Sequence, residues 1–319
     1  MKLLIIGGGA IADSVHIPSA LKLLGRENVY LAEPLPERAA RMAEKHSLLH
    51  VVKDYHRCVK EVDACVIATP PHLHNAILKN CIEAGKPVLC EKPLSPSMVE
   101  TREILDEAES GLVLGMCHSC RFYPSRKEVR ELVRNGFFGP DPEISIVHGS
   151  AVKWPSVTGY NYNKELVPGG VLFDMGIHPL DFVYWCLGKP EKLEYEDDAA
   201  NGLEDNAFVT LHYRTSTSRI RISRSEQLSN NITVSGNGHV AVIGSYDTDR
   251  YTLDGVLHTS SCSTFNFSHS DGNETGLAQL SNFLNAIEGK EPIACPVEEG
   301  LDVIGIVEEC YSLHRTSIV

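Results

Sequence analysis

Asp174 and His178 stand four residues apart, and Asp181 follows three later, in the run Gly169-Gly170-Val171-Leu172-Phe173-Asp174-Met175-Gly176-Ile177-His178-Pro179-Leu180-Asp181. Positions i, i+4 and i+7 share one face of a helix, so an imidazole would lie between two carboxylates. An imidazole titrates near neutrality and suits moving the proton of a hydroxyl group. A carboxylate one turn away orients the ring and stabilises its charged form. The bland alternative is a helix-face salt bridge, and Pro179 belongs in a first helical turn or at a kink. Lys92, in Glu91-Lys92-Pro93, would add a positive charge that favours an alkoxide and lowers the imidazole pKa. The chemistry these groups could perform is oxidation of a secondary alcohol, or reduction of the matching ketone.

A hydride acceptor is implied at the other end of the chain. Gly7-Gly8-Gly9-Ala10-Ile11-Ala12 follows the apolar run Lys2 to Ile6 in a G-x-G-x-x-A pattern. The first glycine allows the tight turn, the second lets backbone approach a pyrophosphate, and the small last residue lets helix pack on strand. The helix N-terminus offers N–H groups and the positive end of its dipole to phosphates. Glu33, 24 residues beyond Gly9, ends the next apolar run. A carboxylate there accepts hydrogen bonds from ribose hydroxyls and repels a 2′-phosphate. Pro34 supplies no compensating cation, so NAD is expected over NADP.

These groups need elements to hold them. Apolar runs at 2–6, 28–32, 64–69, 87–90 and 112–116 alternate with helical patterns at 11–24, 36–46, 74–84 and 96–110. Ser97 and Glu100 have the spacing of a capping box. That alternation predicts an α/β dinucleotide-binding domain over 1–120 with a parallel Rossmann-type sheet. Beyond it the texture changes. Helices are expected at 126–135, 171–187, 277–288 and 298–314. Strands are expected at 143–152, 207–213, 219–224, 231–234, 240–243 and 251–253. Short strands in succession predict an α+β second domain over 121–319 with a largely antiparallel open sheet.

Three further runs carry a family likeness: Ala68-Thr69-Pro70-Pro71-His72-Leu73-His74, Gly85-Lys86-Pro87-Val88-Leu89-Cys90-Glu91-Lys92-Pro93-Leu94, and the Gly169 to Asp181 run. With the N-terminal fingerprint they resemble the glucose–fructose oxidoreductase/inositol dehydrogenase (Gfo/Idh/MocA) family over about residues 1–188. The resemblance implies an NAD(P)-dependent oxidoreductase. It implies that Gly7, Gly9, Ala10, Ile11, Ala12, Glu33, Thr69, Pro70, His74, Glu91 and Lys92 serve the cofactor. It gives Lys92, Asp174 and His178 to catalysis, with Asp181 in support. The Lys92–Pro93 bond is often cis in relatives. Leu114 to Pro124 resembles the family's passage into the second domain, where His118 stands in place of the Asn-like residues common in relatives.

The segment from Lys153 to Val167 precedes the Asp174 run and is expected to line the substrate pocket with Tyr160 and Tyr162; His118 and Arg121 are expected there too. Tyr, Asn and Lys suit a polyhydroxylated ligand such as a sugar, cyclitol or sugar derivative. A non-catalytic NAD-binding sensor and an imine reductase remain the alternatives on the same fold. Homodimers or homotetramers are implied.

Lys plus Arg number 29 against 42 for Asp plus Glu, a net charge of −13 that argues against nucleic-acid or anionic-membrane partners. Cys117-His118-Ser119-Cys120 has zinc or redox spacing but no second pair, so no metal is expected. Four apolar residues before Gly7 are too few for a secretory core, and the ten cysteines are expected reduced in a cytoplasmic protein.

Overall fold

The computed structural model describes residues 1–151, 159–199, 202–260 and 272–316. It divides into two compact units. The first takes in residues 1–119 and 272–301; the second takes in 120–151, 159–260 and 302–316, among the described residues.

The first unit begins with β1 (Leu3–Ile6), whose four residues are all buried. A π-helical turn, Ala12–His16, follows the glycine run and leads into α1 (Ile17–Leu24). Pro18 explains the irregularity: it has no N–H to return to the preceding turn, and the Ile17 N–H instead reaches the Ala12 carbonyl. The chain continues through β2 (Val29–Ala32), α2 (Pro36–His46), β3 (His50–Val52), β4 (Ala64–Ile67), α3 (His74–Glu83), β5 (Val88–Cys90), α4 (Met98–Asp106) and β6 (Leu114–Met116). The six strands are parallel in the order β3-β2-β1-β4-β5-β6. This is the expected Rossmann-type sheet, with one strand more than the periodicity revealed. β3 has three half-buried residues and begins with a histidine, too short and too polar to announce itself. Ser97 caps α4 by accepting the Glu100 N–H, while the Ser97 N–H donates to Ser95 Oγ.

The second unit opens with α5 (Pro124–Arg134) and β7 (Glu143–Gly149). The expected single helix over 171–187 is two helices, α6 (Val171–Asp174) and α7 (Ile177–Leu187). The break has a physical cause. The Val171 carbonyl accepts both the Met175 and Gly176 N–H groups, closing the first helix. A Cβ on Gly176 would stand 2.5 Å from the Leu172 carbonyl oxygen, so only glycine fits there. Pro179 then falls in the first turn of a new helix, where its missing N–H costs little. Asp174 and His178 therefore lie on either side of a break, not on one continuous helical face.

Seven strands complete the sheet: β8 (Lys192–Asp197), β9 (Asn206–His212), β10 (Thr217–Ser223), β11 (Asn231–Gly236), β12 (His239–Gly244), β13 (Arg250–Leu253) and β14 (Val256–Thr259). Their order is β14-β13-β12-β11-β7-β10-β9-β8, antiparallel throughout except for the parallel pair β7–β10. Buried and exposed positions alternate along β8, and Ile144, Ile146, Val209, Ile220, Ile222, Ile232 and Val234 form an inner apolar face.

α8 (Gly272–Ile287) belongs to the first unit, and α9 (Val297–Thr316) belongs to it through Leu301. Leu280, Phe283 and Leu284 of α8 join Leu3, Ile5, Ile17 and Leu31 in one buried cluster. The sequence reading placed all of 121–319 in one domain, because helical periodicity says nothing of which core a helix joins. Phe283 is fully buried in that cluster. Its replacement by alanine is expected to destabilise the first unit by about 3–5 kcal/mol, measured by urea unfolding.

Candidate active site

In the first unit the glycine run turns sharply after β1. Gly7 has φ +103, and a Cβ there would stand 2.6 Å from the Ala68 carbonyl oxygen and 3.0 Å from Thr69 Cγ2. The turn thus lies against the end of β4, where Thr69 and Pro70 are half-buried. Thr69 Oγ1 is a buried hydroxyl oxygen without a hydrogen-bond partner among the described residues. A backbone that only glycine permits, beside an unmatched hydroxyl, fits a dinucleotide whose phosphates approach the main chain closely. Gly9, Ala10, Ile11 and Ala12 follow directly into the helical turn, as expected.

Glu33, 2% exposed, sits just beyond β2. It accepts the Gly8 N–H at 2.8 Å and the Leu35 N–H at 2.9 Å. Arg38 binds it from α2, with Nη2 at 3.1 Å from Oε1 and Nε at 3.0 Å from Oε2. Pro34 supplies no cation, but Arg38 does: it stands five positions after Glu33, and α2 brings it back.

Glu91 follows β5 and meets His16 at the end of the π-helical turn, with Nε2 2.8 Å from Oε1. Its other oxygen accepts the Lys92 N–H at 3.1 Å. Burial works to raise the Glu91 carboxyl, but the hydrogen bond and charge of His16, then Lys92, hold it below the ordinary carboxylate range. His16, Glu91 and Cys117 bring one nitrogen, one carboxylate oxygen and one thiol within 4.8 Å of one another, a donor set that could take a soft divalent cation. The Cys117 thiol is pushed well up by burial and then by Glu91. All nine cysteines among the described residues are free thiols, Cys117 and Cys120 included.

The Lys92–Pro93 peptide is cis. His74, expected against the cofactor, is fully buried and turned elsewhere. Its Nδ1 faces the Leu94 and Pro93 carbonyls at 3.0 and 3.1 Å, and its Nε2 faces the Thr69 carbonyl at 2.7 Å. Burial lowers its pKa, partly offset by those carbonyls. The ring ties two loops together, so a direct cofactor contact is corrected to a positioning role. His118, expected at the substrate, is 1% exposed.

In the second unit, Asp174 and His178 are both half-buried. Asn161 Nδ2 donates to Asp174 Oδ2 at 3.4 Å, and Cys120 Sγ is 3.9 Å from His178 Nδ1. Arg121 and Asp181 are not substrate-facing groups. Each is 2% exposed, and the guanidinium grips the carboxylate with Nε at 3.0 and 3.1 Å and Nη2 at 2.6 Å. Their spacing in sequence hid a pairing that α7 creates. Tyr160 is half-buried, while Tyr162 is exposed with Arg224 stacked 5.2 Å from its ring. Lys153 lies outside the described residues.

The sequence reading also missed what holds Asp174. Glu204, 2% exposed, accepts the Gly170 N–H at 2.6 Å and the Leu172 N–H at 2.9 Å at the start of α6. Tyr311 donates to Glu204 at 2.8 Å and accepts the Phe173 N–H at 3.1 Å. The pair of glycines at 169 and 170 was the available signal: a Cβ at either would collide with Tyr311 Oη or with the Glu204 carbonyl oxygen.

Residues 1–117 match the oxidoreductase family with an NAD-binding Rossmann fold, and residues 127–246 match the GFO/IDH/MocA C-terminal domain. The chain belongs to the Gfo/Idh/MocA family. It is therefore an oxidoreductase with an NAD-binding domain. The chain is 27% identical over 346 residues to D-glucoside 3-dehydrogenase of Escherichia coli (strain K12), covering 99% of this chain and 96% of that one. It is 31% identical over 254 residues to trans-1,2-dihydrobenzene-1,2-diol dehydrogenase of Sus scrofa, covering 75% of this chain and 72% of the relative. A levoglucosan dehydrogenase solved with NADH and levoglucosan shares the Gfo/Idh/MocA fold at TM-score 0.83 and 16% identity, covering 98% of each chain. No helix among the described residues is long and apolar enough to cross a membrane.

The His16–Glu91 contact generates a prediction with a definite sign. A depressed Glu91 pKa contributes stability that is present above the unfolded value of 4.5 and lost as pH falls through the lower folded value. His16→Ala removes the foremost of the influences that lower the Glu91 pKa, so the folded pKa moves up. The variant should then be less stable than the wild type at about pH 6, and the gap should close as pH falls from about 5 to about 3. Urea midpoints that run parallel for the two proteins across this range would contradict it.

Proposed function

We propose that this protein is an NAD-dependent dehydrogenase or ketoreductase that interconverts a secondary alcohol and a ketone on a sugar, cyclitol or sugar derivative. The observation that carries this reading is the presentation of Asp174 and His178, half-buried, on either side of a helix break anchored by Glu204. The names of the relatives, a glucoside dehydrogenase and a diol dehydrogenase, support the substrate class.

The glycine turn at Gly7 to Ala12 would hold the pyrophosphate, Glu33 the adenosine ribose, and Thr69, Pro70, Glu91 and Lys92 the remainder of the cofactor. When bound, the nicotinamide supplies or accepts the hydride. On the protein's side, His178 takes the hydroxyl proton as the alcohol is oxidised and returns it in the reverse direction. Asp174 stabilises the imidazolium so formed. The Lys92 ammonium favours the alkoxide. Residues 121–319, apart from the stretch 272–301 that joins the first unit, are proposed to carry substrate binding and self-association into a homodimer or homotetramer, with Phe208, Val240, Val256 and Leu257 as exposed apolar groups on the sheet.

A panel of polyols, inositols and sugars, followed by NADH absorbance, tests the reading directly. His178→Ala is expected to lower kcat by about 10²–10⁴ with the Kd for NADH little changed. Undiminished turnover would remove His178 from the mechanism.

The cofactor choice follows from Glu33. Its two backbone donors and Arg38 hold the carboxylate in place, where it opposes a 2′-phosphate. Glu33→Ser should free Arg38 to meet that phosphate and lower the KM for NADP by about tenfold or more, while the KM for NAD rises. A wild-type preference for NADP would overturn the assignment.

A further inference from the structure

Arg126, in the first turn of α5, is 4% exposed. Its Nη2 donates to the Ser245 carbonyl at 2.9 Å. Its guanidinium carbon lies 4.9 Å from the Tyr123 ring centre and 5.9 Å from that of Phe182. Among the described residues its buried Nε has no hydrogen-bond partner and no carboxylate forms an ion pair with it. Arg121 is as deeply buried but has Asp181. A guanidinium removed from water without a counter-ion is costly, and ring faces with one carbonyl offset only part of that cost. Burial first, then the charge of Arg126, push the His148 imidazole below its ordinary range.

The surroundings connect this cation to the candidate catalytic pair. Cys120, 3.9 Å from His178 Nδ1, lies beside Tyr123, and Tyr123 lies under Arg126. Phe182, the other ring beneath Arg126, is one turn along α7 from His178. His148 of β7, which feels the charge of Arg126, and Tyr246 have rings 5.6 Å apart. Tyr246 is 62% exposed and follows the Ser245 carbonyl that Arg126 holds.

We propose that Arg126, with His148 and Tyr246 beside it, forms a subsite for an anionic group, a carboxylate or a phosphate ester, on the polyhydroxylated substrate. The planar fork of a guanidinium matches both groups, and among the described residues only the Ser245 carbonyl takes one of its donors. The inference rests on the oxidoreductase reading above and narrows its substrate class to sugar acids or sugar phosphates.

The full-length protein with saturating NADH is titrated with glucose, with uronates such as D-glucuronate and with hexose phosphates such as glucose 6-phosphate, and thermal unfolding is followed. The expected result is a rise in Tm with an anionic sugar and little or none with glucose. Response to uronates alone assigns a carboxylate; response to phosphates alone assigns a phosphate ester. Arg126→Gln should abolish the anion-dependent rise, and its ligand-free Tm should equal or exceed that of the wild type, because a lone buried charge has been removed. Where turnover is seen, Arg126→Gln should raise the KM for the anionic sugar by about 10²-fold and erase the preference over its neutral counterpart. The proposal is overturned by an equal response to glucose, by a response that survives in Arg126→Gln, or by a ligand-free Tm several degrees below the wild type. Oxidation of neutral sugars without any of acidic ones would sink the subsite and leave the oxidoreductase reading standing. Arg126-dependent binding without NADH formation from any sugar would do the reverse.

Discussion

Glu204 is a carboxylate sealed from water at the start of a four-residue helix, and the shape of the candidate catalytic segment follows from it. So short a helix has no stability of its own, because nucleation fixes several residues for very few hydrogen bonds. Its first N–H groups face the interior, where leaving them unmatched would be costly. Glu204 accepts two of them, its own backbone carbonyl accepts the Val171 N–H, and Tyr311 donates to the carboxylate while accepting the Phe173 N–H. The negative charge also meets the positive end of the helix. Burial, and then Glu204, push the Tyr311 phenol well above its ordinary pKa, so it remains a donor. Gly169 and Gly170 follow as requirements, since only glycine lets Glu204 and Tyr311 come this near.

The first unit uses the same device twice. Glu33 is fastened by the Gly8 and Leu35 N–H groups, and Glu91 by the Lys92 N–H and His16. In each case a wholly or largely buried carboxylate fixes a loop at the end of a parallel strand by its main chain, which makes the loop's position insensitive to side-chain flexibility. His74 performs the complementary task with an imidazole facing carbonyl oxygens of both the Thr69 loop and the Pro93–Leu94 loop. Glu33 orders the glycine turn while Glu91 orders the residues around Lys92, so both loops are set by carboxylates as well as by the sheet.

The Rossmann-type sheet was legible because buried parallel strands are near-continuous apolar runs with Gly or Pro at their joints. The second sheet was legible as antiparallel from its turns, but β3 and β8 were not separately visible: one has three residues, and the other alternates charged with apolar positions. The glycine fingerprint, Glu33 and the Asp174–His178 pair were read from local spacing. What local spacing could not show was pairing across 60 residues, as between Arg121 and Asp181, or 107, as between Tyr311 and Glu204. Nor could it show a helix turning a cation back, as α2 does with Arg38. His74 illustrates the opposite error. Its motif placed it near the cofactor, and only burial revealed that carbonyl groups occupy the surroundings of both its nitrogens.

Net charge turns out to be the wrong scale for electrostatics in this molecule. The −13 is a sum over the whole chain and says nothing of where each charge lies. Inside the second unit the balance reverses locally: Arg121 is neutralised by Asp181, whereas Arg126, equally buried, has no carboxylate paired to it among the described residues. Screening by water makes the distant surface charges weak at that depth, while a buried cation acts on His148 at short range and low dielectric. An anion approaching the protein is therefore repelled by the bulk charge only weakly, within a Debye length of the surface, whereas at the proposed subsite the charge of Arg126 would act on it at close range. The acidic composition that argues against nucleic-acid partners is thus compatible with recognition of a small anion, because the two effects operate over different distances.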